Sequence, residues 1–153
     1  MAIDDDELLS PSLGGYVAPK ERPWHTGSIF YVAFFGGILA GAVLAWINAG
    51  RLPVSRRRRL AVPVLGALGL LATILAALAF DLSRGDAIRF ATRIVGVAGF
   101  VAIYWLLKPA ERVYVTFGPD DDEAFESLWL PGVLATFGLG AVQAAIVYAI
   151  LSV

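Results

Sequence analysis

The strongest constraint on this chain is the run at residues 28–50, SIFYVAFFGGILAGAVLAWINAG, which contains no charged side chain. A helix of roughly 20 residues rising ~1.5 Å per residue covers the ~30 Å hydrocarbon core of a bilayer. The run therefore predicts a membrane helix. Three further apolar runs follow, at about residues 60–80, 87–107 and 128–152. The expected fold class is all-α: an integral membrane four-helix bundle with four transmembrane helices. Residues 27–153 form the membrane domain, preceded by a polar, acidic tail at 1–26 and interrupted by a connector at 108–127.

Composition agrees, with 58% hydrophobic and 16% charged residues, where soluble domains carry about 45–50% and about 25%. The third run is the weakest, because spanning requires Arg89 and Arg93 to lie inside the helix. They sit four apart on one face, able to snorkel and pair with Asp86 or with Asp81 across the turn, or to meet an anion, a lipid phosphate or a partner's acid. Within the connector, VYVTF at 113–117 alternates like a strand, and an acidic run follows at 120–123.

Small residues recur at every fourth position in the first and last runs. Ala33, Gly37, Gly41 and Ala45 form one ladder; Gly132, Thr136, Gly140 and Ala144 form the other. Such faces let helix backbones approach closely, so the first and fourth helices are expected to touch. Gln143 is the polar residue at depth in the last helix, a candidate for an interhelical hydrogen bond or for lining a polar path. Trp24, Trp46, Trp105 and Trp129 fall at the ends of apolar runs, as an interfacial belt requires.

Arg56, Arg57, Arg58 and Arg59 lie between the first two runs, placed to meet anionic headgroups rather than nucleic acid. With four spans, the first and third connectors carry Arg51, Arg56 to Arg59, Lys108 and Arg112, seven basic residues, against five in Lys20, Arg22, Arg84, Arg89 and Arg93. The positive-inside rule then places segment 51–59 in the cytoplasm and both termini outside. The first run is too long for the apolar region of a signal peptide, so it is expected to remain in the mature protein.

Several chemistries lack their residues. Haem ligation through paired histidines fails with a single histidine, His25, and no cysteine exists for thiolate chemistry or iron–sulfur ligation. No lysine lies within a run to carry retinal, and no carboxylate lies deep enough for ion-coupled transport. No cofactor or metal is expected, and no catalytic constellation is apparent.

The stretch FFGGILAGAVLAWINAGRL at 34–52 resembles the first helix of uncharacterised small bacterial multi-span proteins, through Phe35, Gly36, Gly37, Leu39, Ala40, Gly41, Asn48, Arg51 and Leu52. Ile38 stands where that pattern has proline. The resemblance implies a bacterial plasma-membrane protein and brings no activity with it. The function expected is a non-catalytic membrane subunit or assembly component, whose partners are the bilayer and other membrane subunits or further copies of itself. A homo-oligomeric channel is the alternative and an integral membrane enzyme comes third.

Overall fold

A computed structural model describes residues 21–79, 85–117 and 124–151, apart from the side chains of residues 85–89, 91 and 151. The acidic tail at 4–7, most of the turn at 81–86, the acidic run at 120–123 and the Arg89 side chain lie outside the described residues. The elements are a 3-10 turn, Thr26–Ser28, and four helices: α1, Ile29–Arg51; α2, Arg56–Ala79; α3, Gly85–Phe117; and α4, Trp129–Leu151. Each helix is long and apolar enough to cross a membrane. No strand forms among the described residues, where only an isolated bridge joins Trp24 to Glu126.

The first helix is not straight. Gly37 adopts φ 82° and ψ −179°, conformational space that essentially only glycine occupies. There the chain folds back on itself. A Cβ built on Gly41 would lie 2.6 Å from the Cβ of Ala33, although eight residues of straight helix are about 12 Å long. Farther from the break, Asn48 exchanges hydrogen bonds with the backbone of Trp24, at 2.7 and 2.9 Å. Arg51 pairs with Glu21 at 2.8 Å and donates to the carbonyl of Arg22 at 3.1 Å. Helix α1 is thus a hairpin of two halves, α1a at 29–36 and α1b at 38–51, with Gly37 at its tip. Their lengths are about 12 and 21 Å, so neither half alone covers a ~30 Å hydrocarbon core.

This geometry corrects the sequence-based ladder. Ala33 and Gly41 pack against each other across the hairpin instead of forming one continuous face toward α4. The other three helices enclose the hairpin. Ile38, fully buried, fills a socket made by Gly69 of α2 and Gly99 of α3, where a Cβ added at either glycine would collide with it. Gly66 of α2 faces Ala42, and Gly96 of α3 lies against the tip, with Ala33 O 2.9 Å from an added Cβ. On α4, Thr136 and Gly140 pack on Gly36, and Gly132 packs on Val32.

Two element boundaries also move. The arginine run forms the first turn of α2 rather than a loop, so Pro63 sits inside that helix. Helix α3 runs through Pro109 to Phe117, and the expected strand at 113–117 is helical. The reason is a buried stripe at helical spacing: Phe100, Ile103, Leu107, Ala110, Glu111 and Tyr114. Tyr114 secures the end by donating to Ala124 O at 3.0 Å. Local β-branched alternation is overruled by this packing.

The hairpin base joins segment 21–28, the start of α2, the end of α3 and the approach to α4 at one end of the bundle. Arg51 stacks over the buried Trp24 at 4.2 Å and also pairs with Glu126, while the backbone N–H of Glu126 donates to Pro23 O at 3.0 Å. Trp46, Trp105 and Trp129 are exposed, as an interfacial belt requires, whereas Trp24 is buried beneath Arg51 and belongs to the core instead. Placing residues 21–26 and segment 51–59 on opposite faces of a membrane does not fit, because Glu21 and Arg22 touch Arg51.

Candidate functional site

Breaking a helix frees up to four carbonyls at the end of one half and four N–H groups at the start of the other. In hydrocarbon such groups need partners or a cavity, because no water is there to receive them. Gln143, on α4 and only 2% exposed, meets this need at the tip. Its Oε1 accepts the N–H of Leu39 at 3.0 Å, near the start of α1b. The carboxamide fits only because residue 37 has no side chain, since an added Cβ would lie 2.6 Å from Oε1 and 2.7 Å from Nε2. Donation by Leu39 fixes the amide orientation, which leaves Nε2 buried and without a partner.

A groove of about 1210 Å³ runs beside the tip. Phe34, Phe35, Val133 and Phe137 are among its apolar walls, with Gly36, Gly37 and Gln143 along the break. Arg93 of α3 lines the same groove, with its guanidinium 5.6 Å from the Phe34 ring. Arg93 lies three residues, about 4.5 Å of helix rise, from Gly96 at the tip. It has no ion pair with any described residue. A second groove of about 410 Å³, bounded by Phe90, Ile94 and Val97, shares Phe34 and Arg93 with the first.

Of the residues singled out in the sequence, Gly37, Thr136, Gly140, Ala144, Gln143 and Arg93 therefore line one groove. Gly132 joins them, while Ala33, Gly41 and Ala45 are buried within the hairpin. Arg56, Arg57, Arg58 and Arg59 stand apart, exposed at the hairpin-base end, with Arg59 5.6 Å from the ring of Trp46. Two important residues were not selected by sequence reasoning. Asn48 entered only among the residues of the family resemblance, with no structural role, and Glu111 falls in the expected connector at 108–127.

Both secure the base of the hairpin. Glu111, 2% exposed, accepts the N–H of Thr26 at 2.9 Å and a hydrogen bond from Lys108 at 2.9 Å, and His25 lies 3.6 Å away. A carboxylate at the start of α1a also complements the helix dipole. Asn48 is fully buried and satisfies both backbone groups of Trp24. Asn48→Ala should lower stability by about 2–3 kcal/mol, because it leaves a buried donor and acceptor unpaired. Unfolding followed by tryptophan fluorescence in mixed micelles measures the loss.

Comparison with protein-family models, with curated proteins and with solved structures found no match.

Proposed function

We propose that the chain is a non-catalytic integral membrane component that stabilises a larger membrane assembly, built from three spanning helices and a re-entrant hairpin. The observation that supports this reading is the tip itself. Non-helical backbone at membrane depth is tolerated where protein covers it or where it lines a cavity, and both conditions are met around Gly37 and Gln143. The arrangement suits holding something from within the bilayer more than turning over a substrate.

On this reading the hairpin base faces the cytoplasm of a bacterial plasma membrane. Among residues with described backbone, Arg22, Arg51, Arg56 to Arg59, Lys108 and Arg112 lie toward the base, eight in all, against Arg89 and Arg93 toward the other end. Eight against two is a firmer bias than the seven against five of a four-span count. The exposed arginines then lie at the anionic cytoplasmic leaflet.

Purification of the full chain in mild detergent, followed by mass spectrometry, should recover a stoichiometric unlike subunit. A pure homo-oligomer would overturn the assembly role. The pore reading draws on Gln143 beside a broken helix, since half-helix termini form solute sites in transporters. Flux through liposomes containing the purified chain, abolished by Gln143→Ala, would favour it; no flux is expected.

A further inference from the structure

Three features of positive character converge at the tip. The N-terminal end of α1b carries the favourable pole of a helix dipole, Gln143 has a buried and unpartnered Nε2, and Arg93 has no acid among the described residues. A group rich in acceptor oxygens would complement all three. The walls are apolar and aromatic on both sides of the Arg93–Phe34 contact, where the two grooves meet. One cation between two apolar channels matches a molecule with one anionic head and two hydrocarbon chains.

We propose that this site holds one diacyl phospholipid with an anionic headgroup. Its phosphate sits on Arg93, its chains lie in the two grooves on either side of Phe34, and an ester oxygen gives Gln143 Nε2 the acceptor it lacks. The vertical offset suits this placement, since Arg93 stands about one helical turn beyond the tip. The lipid is distinct from those attracted to Arg56, Arg57, Arg58 and Arg59, which lie toward the opposite end of the bundle. This inference rests on the chain being embedded in a bilayer and not on its having a protein partner.

Native mass spectrometry of the purified full-length chain tests it, with dioleoyl phosphatidylglycerol, dioleoyl phosphatidylcholine and palmitate as probes. One phosphatidylglycerol should be retained in preference to the other two. Arg93→Ala should weaken that binding about tenfold, the loss of roughly one charge-assisted contact. Ala144→Trp, which fills the larger groove from an exposed position, should displace the lipid while leaving Arg93 and Gln143 in place. Arg57→Ala and Arg58→Ala should leave the retained lipid unchanged. Equal retention of phosphatidylcholine, palmitate binding as tightly, wild-type affinity in Arg93→Ala, or stripping of the lipid by the arginine-run variants would each overturn the proposal. Because the isolated chain is measured, failure to find a protein subunit leaves this result independent.

Discussion

Gly37→Ala should destabilise the protein by about 3 kcal/mol or more and open the hairpin. Two costs combine. Residue 37 lies at φ 82° and ψ −179°, where a side chain costs about 1–3 kcal/mol in backbone strain. Its methyl group would also come within 2.6–2.8 Å of the Gln143 carboxamide, and relieving such overpacking typically costs about 1–3 kcal/mol. Gln143 can swing aside, but then Leu39 loses its acceptor in an apolar setting. Unfolding in mixed micelles, followed by tryptophan fluorescence, reads the effect. Wild-type stability would mean that residue 37 can adopt ordinary helical geometry and that the hairpin is not required. Gly138 is the control, because an added Cβ there meets nothing within 4 Å. Alanine at 138 should be neutral or slightly stabilising, following its higher helix propensity.

The four helices were legible because long uncharged runs admit little else, and contact between α1 and α4 followed from their small residues. The fold-back was not legible. Glycine and alanine at every fourth position are equally suited to a straight helix meeting a neighbour and to two half-helices meeting each other. Ala33 and Gly41 take the second role. The available signal was the Gly36–Gly37 pair at the centre of the run, together with Asn48, an amide in a half-helix that is otherwise apolar up to its terminal Arg51. At 113–117 the alternation of β-branched and aromatic residues pointed to a strand, yet Tyr114 and Glu111 belong to a helical stripe that starts much earlier in α3. Gln143 was recognisable as polar and deep. Its acceptor role could not be read, because its partner is a backbone N–H exposed by a break that only the tertiary structure reveals.

Single-cysteine labelling should give an all-or-none result that separates the two topologies. The native chain contains no cysteine, so each introduced thiol is unique. Arg22→Cys, Arg57→Cys and Ala79→Cys place thiols at exposed positions. If α1 crossed the bilayer as one rod, positions 22 and 57 would react with an impermeant maleimide from opposite faces, and position 22 would share its face with position 79. The hairpin reverses this pattern. Arg22 lies at the base with Arg51, while α2 carries the chain from Arg56 to Ala79, a rise of about 35 Å that exceeds the hydrocarbon thickness. Positions 22 and 57 should therefore label together from one face, and position 79 from the other. With eight described basic positions toward the base against two toward the opposite end, the shared face should be cytoplasmic, reacting in inside-out vesicles and remaining protected in intact cells. Labelling of 22 and 57 from opposite faces would restore the straight helix and remove the tip, its groove and the lipid site together.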